Sequence, residues 1–197
     1  MLYGFARRLL SPFLRGIYRL QVKGEEHIPK DGKVILCSNH KSVLDPCLLA
    51  ISVRKRQIFY MAKSELFEGR WGALLRRLGA FPVRRNAGDA GSVRTALSVL
   101  ESGKLLGIFP QGKCVFDAAP FQPKAGVAML AAKSHADILP ACVYCEGRIR
   151  PFSRVTVRFG PRIPFADLHL ENGNKTAIKQ ASCLIAGEIN RLLEEKH

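Results

Sequence analysis

Four consecutive apolar residues, Val34-Ile35-Leu36-Cys37, lead into the polar stretch Asn39-His40-Lys41-Ser42-Val43-Leu44-Asp45-Pro46. A short apolar run without polar alternation reads as a strand buried on both faces. Such a strand lies inside a sheet covered by helices, and the turn after it emerges at the rim, where open α/β folds bind and transform ligands. Asp45-Pro46 marks the next element: Asp is a good helix N-cap, Pro suits the first helical position, and Cys47-Leu48-Leu49-Ala50-Ile51 continues as a buried helix. The stretch therefore predicts strand, turn and helix, with His40 in the turn.

His40 and Asp45 are five residues apart. On a regular helix they would point about 140° apart, and on a strand to opposite faces, so only a bent segment brings them together. Across such a bend the carboxylate would hold one imidazole nitrogen and fix the tautomer, leaving the other nitrogen to take a proton from a hydroxyl. That is base chemistry without a protein nucleophile. The spacing also fits Asp45 as a simple helix cap and His40 as a surface turn residue.

Beyond this stretch, short apolar runs alternate with longer helical periods, which argues a mixed α/β domain with a largely parallel sheet flanked by helices. Strands are expected at residues 34–38, 57–61, 105–109, 138–144 and 154–159. Val93, Ala96, Leu97 and Leu100 form one apolar helix face ending at Gly103, and Val127, Leu130 and Ala131 another. Ile178, Ala181, Ile185, Ile189 and Leu192 define a terminal helix after Asn172-Gly173-Asn174.

Residues 1–20 form an amphipathic helical opening to the domain at 21–197. Phe5, Leu9, Phe13, Ile17 and Leu20 recur at helical spacing beside Arg7, Arg8, Arg15 and Arg19, and Pro12 is expected to divide the segment in two. The stripe suits either a bilayer surface, with arginines on anionic headgroups, or the domain's own sheet. No apolar run approaches the roughly 20 residues of a membrane-spanning helix, so attachment would be peripheral and monotopic. Arg70 to Arg77 is basic with Trp71, Leu74 and Leu75 at helical spacing, which fits a solvated face better than a membrane contact.

With 197 residues, 47% of them hydrophobic, the chain can bury a real core as one domain. Its formal charge of +15 points to an anionic partner: a phosphate-bearing substrate, an acidic membrane or a nucleic acid. The cations are spread along the chain and no zinc finger, helix-turn-helix or stacking signature accompanies them, which argues against nucleic acid. The six cysteines are expected as buried thiols in a reducing compartment. Cys142 and Cys145 lack a second ligand pair, so no metal is expected, and Cys37 fits a core strand better than a nucleophile. There is no serine-hydrolase elbow, phosphate loop or dinucleotide turn.

Five blocks in order resemble one family. Asn39-His40-x4-Asp45-Pro46 is similar to the first motif of the glycerolipid acyltransferases, the lysophosphatidate acyltransferase family. Ala62-Lys63-Ser64-Glu65-Leu66-Phe67 resembles its Ala-Lys-x-Glu-Leu segment, and Gly79-Ala80-Phe81-Pro82-Val83-Arg84-Arg85 its second motif. Phe109-Pro110-Gln111-Gly112-Lys113-Cys114 resembles the third, usually Phe-Pro-Glu-Gly-Thr-Arg, and Ile138-Leu139-Pro140-Ala141-Cys142-Val143 the fourth. The resemblance spans about residues 20–165.

The resemblance implies direct transfer of an acyl chain to the free hydroxyl of 1-acyl-glycerol-3-phosphate. The donor would be acyl-CoA or acyl carrier protein, used as a substrate and not as a cofactor. His40 would deprotonate the hydroxyl and Asp45 would stabilise the imidazolium. Lys63, Arg85, Gln111, Gly112 and Lys113 would bind the substrate, its phosphate meeting charge-assisted hydrogen bonds. The expected place is the cytoplasmic face of a membrane. In the third motif, Gln111, Lys113 and Cys114 replace the family's Glu, Thr and Arg. Either acceptor preference has shifted while transfer persists, or the domain binds anionic lipid with reduced turnover.

Overall fold

A computed structural model describes residues 2–83, 90–112, 114–115 and 124–195. Arg85 and Lys113 lie outside the described residues. Within them, seven strands form one sheet: β1 (Gln21–Lys23), β2 (Val34–Ser38), β3 (Ile58–Lys63), β4 (Ala80–Val83), β5 (Leu105–Ile108), β6 (Asp137–Tyr144) and β7 (Thr156–Phe159). Their spatial order is β1-β7-β6-β2-β5-β3-β4, and every pairing is parallel except β6 with β7. Six helices accompany them: α1 (Leu2–Ile17), α2 (Asp45–Ser52), α3 (Gly72–Arg77), α4 (Ala90–Glu101), α5 (Gly126–Ser134) and α6 (Lys175–Glu194). This is the expected α/β class with an N-terminal helix.

β2 occupies the middle of the sheet, between β6 and β5, and all five of its residues are buried. Its side chains alternate as strand geometry demands. Ile35 and Cys37 enter the core formed with α4, α5 and α6, while Val34 and Leu36 enter the core formed with α1 and α2. Because β2, β5, β3 and β4 run parallel, their C-terminal ends share one rim. That rim carries His40 after β2, Pro110-Gln111 after β5 and Lys63 at the end of β3.

Three expectations about individual elements need correction. β1 and β4 were not anticipated, being three and four residues long, and β4 contains Pro82, which is tolerated because β4 is an edge strand. Pro12 does not divide the first helix: α1 continues through it. Proline removes one backbone hydrogen bond there, and packing of Leu14, Ile17, Tyr18 and Leu20 into the core beside α2 outweighs that loss. Cys47 and Cys183 are exposed instead of buried, whereas Cys37, Cys142 and Cys145 sit in the core.

Part of the positive charge belongs to the fold. Arg56 donates to the carbonyls of Asp31, Gly32 and Gly103 at 2.7–3.0 Å and ties two loops together. Arg158, only 1% exposed, donates to the carbonyls of Leu192 and Glu195 and so caps the C-terminus of α6. Neither guanidinium is available to a ligand.

Candidate active site

The site is built where β2 stops and β6 continues. The side-chain amide of Asn39 donates to the carbonyl of Val143 (3.0 Å) and accepts from its N–H (2.8 Å), acting as one more peptide unit of the β2–β6 ladder. The backbone is thereby free to leave the sheet at His40 without orphaning Val143. Lys41 donates its ammonium to the carbonyl of Cys145, pinning the turn to the end of β6.

Asp45 closes the turn. Its Oδ2 accepts from the backbone N–H of Lys41 (2.6 Å), the N–H of Ser42 (2.7 Å) and His40 Nδ1 (2.9 Å). The carboxyl group is fully buried, while the His40 side chain is 14% exposed. Asp45 is therefore not the N-cap of α2: that place falls to Leu44, without a side-chain hydrogen bond, because the carboxylate turns back to the preceding loop. Two backbone donors and one imidazole converge on a single oxygen, which fixes Nδ1 as the protonated nitrogen and leaves Nε2 as the acceptor.

The ring is held from other sides as well. Phe109 stacks on His40 with centroids 4.2 Å apart and planes 18° from parallel, and Tyr60 stacks behind Phe109 at 5.9 Å. Gly107 gives Tyr60 its room, since a Cβ there would lie 2.2 Å from the Tyr60 ring. The Tyr60 hydroxyl is buried without a hydrogen-bond partner, and burial pushes its pKa well above the usual value.

The segment after β5 folds over this face. Gln111 Oε1 accepts the backbone N–H of His40 at 2.7 Å, and Val115 N–H donates to the His40 carbonyl at 2.7 Å. Cys114 Sγ then lies 3.3 Å from His40 Nε2. Gly112 adopts a left-handed φ of 70°, which favours glycine, and a Cβ there would press on the Lys124 ammonium at 3.2 Å.

Lys63 ends β3 on the same rim, about half exposed, with its ammonium 2.8 Å from Glu65. Lys63 and then the backbone N–H of Glu65 hold the Glu65 carboxyl down to about 2. Of the sequence-derived candidates, His40, Asp45 and Gln111 thus share one hydrogen-bonded cluster, Gly112 shapes its loop, and Lys63 lies on the rim beyond it. Cys114 and Phe109 complete the cluster but were absent from the candidates. In its motif Cys114 stands only as the loss of an Arg, and its contact with His40 spans 74 residues of sequence.

Cys37 and Cys142 are core thiols, both pushed up by burial, the second to about 11. Cys142 donates to the Leu192 carbonyl and Cys145 to that of Glu146, so the two thiols serve separate backbone acceptors.

Comparison with known proteins matches this architecture. A family profile described as Acyltransferase matches residues 19–144. The 1-acyl-sn-glycerol-3-phosphate acyltransferase of Bacillus subtilis is 31% identical, with 71% of this chain and 70% of that protein covered. Its counterpart in Streptococcus pneumoniae is 30% identical, with 95% and 75% covered. The crystal structure of the lysophosphatidate acyltransferase PlsC from Thermotoga maritima shares the fold, with a TM-score of 0.71 at 20% identity over 98% of this chain and 83% of that one. A matched profile over most of the chain, and relatives covered over more than two thirds of their length, place this chain in the acyltransferase family.

Proposed function

We infer that the protein acylates the free sn-2 hydroxyl of 1-acyl-glycerol-3-phosphate, forming phosphatidate in phospholipid biosynthesis, with acyl-CoA or acyl carrier protein as the donor. The observation that carries this reading is the buried Asp45 carboxylate on His40 Nδ1, which leaves Nε2, 3.3 Å from Cys114 Sγ, as the basic nitrogen. The acceptor hydroxyl gives its proton to Nε2 as its oxygen attacks the thioester carbonyl, and Asp45 stabilises the imidazolium that forms. Lys63, Arg85 and Lys113 supply cations for the acceptor phosphate, so that affinity at one end orients the hydroxyl at the other. For Lys63 this means exchanging Glu65 for phosphate, a modest cost because the pair is exposed. The glutamine in the third motif supports turnover: the acceptor oxygen that a Glu would offer to the His40 N–H is also present in Gln111.

Residues 1–20 then serve as the membrane-surface segment and 21–197 as the acyltransferase domain. No helix among the described residues is long and apolar enough to cross a membrane. Phe5, Leu9 and Phe13 are each more than 60% exposed on α1, whereas Leu14 on the same helix turns inward, as do Tyr18 and Leu20 just after it. One helix thus carries both an apolar outer face and a core face, which suits peripheral attachment at the cytoplasmic leaflet. Arg7 is not among the headgroup contacts, because it donates to the Val53 carbonyl at the end of α2.

The test is transfer of a labelled acyl chain from each donor to lysophosphatidate, with native protein and His40→Ala compared in one detergent. Native turnover that falls about 10²–10⁴-fold in the variant supports the reading. Binding of lysophosphatidate without turnover from either donor refutes it in favour of a non-catalytic lipid-binding domain.

A further inference from the structure

A cleft of about 390 Å³ lies away from His40, between one face of α1 and the residues that end and follow α2. Four of its lining residues are arginines: Arg7, Arg8 and Arg15 from α1, and Arg54 just beyond α2. Asp45 stands at the other end of α2, whose eight residues span about 12 Å, so the cleft is separate from the cations on the rim. Arg8, Ser11 and Arg15 follow one another at intervals of three and four residues and therefore share one face of α1.

The guanidiniums are held in place but poorly matched by negative charge. Arg7 donates to the Val53 carbonyl at 2.9 Å and forms a fixed wall. Ser11 Oγ accepts from Arg15 Nε at 3.3 Å, and Arg15 Nη2 is buried without a hydrogen-bond partner. Among the described residues these arginines face one carboxylate, Glu25, whose Oε1 stands 4.0 Å from Arg15 Nη2 and 3.9 Å from Arg54 Nε. Both separations are too long for hydrogen bonds. Two guanidiniums thus converge on one oxygen position without closing on it, and the Glu25 side chain, 40% exposed, can swing aside. Four cations against one carboxylate leave an excess of positive charge, which suits an anion with several acceptor oxygens.

We propose that this cleft binds the phosphomonoester headgroup of a bilayer phospholipid, with Arg8, Arg15 and Arg54 as its ligands. A phosphomonoester carries about −1.5 to −2 charges at pH 7 and three acceptor oxygens, which suits converging guanidinium forks better than a singly charged phosphodiester does. What lies beside the cleft on the same helix assigns the source to a membrane. The exposed row Phe5, Leu9 and Phe13 sits about a third of a turn round α1 from Arg8, Ser11 and Arg15. With that row in the acyl boundary, the cleft stands at headgroup level. The proposal rests on the membrane-surface reading of α1 given above. It extends that reading from a general attraction for anionic lipid to recognition of one class of headgroup, the class to which lysophosphatidate and phosphatidate both belong.

The experiment is sedimentation of the full chain with phosphatidylcholine vesicles that carry either phosphatidate or phosphatidylglycerol, matched in zeta potential at one salt concentration. Native protein is expected to bind the phosphatidate vesicles at least about tenfold more tightly. Arg8→Gln combined with Arg54→Gln, both at exposed positions, should bring that ratio below about threefold with the thermal midpoint unchanged. Lys63→Gln on the rim should keep the ratio. So should Arg94→Gln combined with Lys179→Gln, which removes the same charge from α4 and α6 on the other face of the sheet. A native ratio within about threefold, or a native-like ratio in the Arg8 and Arg54 variant, overturns the proposal and leaves the membrane reading of α1 in place. Failure to sediment with either vesicle refutes that reading and the proposal together. Titration with sn-glycerol 3-phosphate separates the two sources of the headgroup chemistry. Binding that is lost in the Arg8 and Arg54 variant, without any vesicle preference, assigns the cleft to a soluble phosphomonoester and overturns the lipid.

Discussion

Replacing Asp45 by Asn separates two things a carboxylate can do for an imidazole. In this site one oxygen, Oδ2, faces three donors: His40 Nδ1 and the N–H groups of Lys41 and Ser42. Two are backbone donors, so only the amide oxygen of Asn can take that position, and the same oxygen then meets Nδ1–H. The tautomer is kept, the charge is lost, and the amide nitrogen takes the place of Oδ1, which is buried without a hydrogen-bond partner. Hydrogen bonds to charged groups contribute about 1.5–3 kcal/mol against about 0.5–1.5 for neutral ones, so the two backbone bonds together lose about 2 kcal/mol of stability. Loss of the charged partner for the imidazolium raises the barrier by about 1.5–3 kcal/mol, which is roughly a 10- to 150-fold fall in kcat. Asp45→Ala goes further, leaving all three donors without a partner, at about 1–3 kcal/mol for each that stays buried. The assay is steady-state transfer to lysophosphatidate with urea unfolding on the same preparations. Native-like kcat in Asp45→Asn refutes the electrostatic role. A loss as deep as that of His40→Ala refutes the claim that the tautomer survives.

Other perturbations test the scaffold around the ring. Tyr60→Phe removes a buried hydroxyl without a partner and keeps the stack on Phe109, so thermal unfolding should show unchanged or raised stability, by up to about 1 kcal/mol. Gly107→Ala forces the Tyr60 ring away and should cost both stability, about 1–3 kcal/mol, and activity, read by unfolding and by kcat. Gln111→Leu leaves the His40 N–H without its acceptor and should destabilise by about 1–3 kcal/mol, whereas Gln111→Glu, which retains an oxygen there, should not. Combined replacement of Phe5, Leu9 and Phe13 by Ser should weaken sedimentation with anionic vesicles while leaving the unfolding midpoint in place. Leu14→Ala, on the buried face of the same helix, should cost about 2–4 kcal/mol.

Local pattern made some of this molecule legible and distance in sequence hid the rest. The apolar run before Asn39 is short, unbroken and followed by Asp-Pro, so β2, its turn and α2 follow from burial and backbone preference. His40 and Asp45 meet because the turn between them is the bend their spacing requires. α4, α5 and α6 announce themselves by apolar period, and Asn174, in the loop from which α6 is expected to start, caps that helix through its side chain. β1 and β4 are too short for any period to show. Pro12 misled because a rule about local backbone was outweighed by packing far along the chain. The clamp of Gln111 on His40 and the approach of Cys114 depend on β5 lying beside β2, a pairing set by topology. A residue read by motif as a departure, Cys114, lies 3.3 Å from His40 Nε2.

The central claim is tested most directly by the product itself. Purified protein given 1-acyl-glycerol-3-phosphate and a thioester of an isotopically labelled acyl chain should yield phosphatidate with the label at sn-2, at a rate proportional to enzyme and abolished in His40→Ala. Label recovered only in the donor or as free acid, with the lysophosphatidate unchanged, would contradict the account.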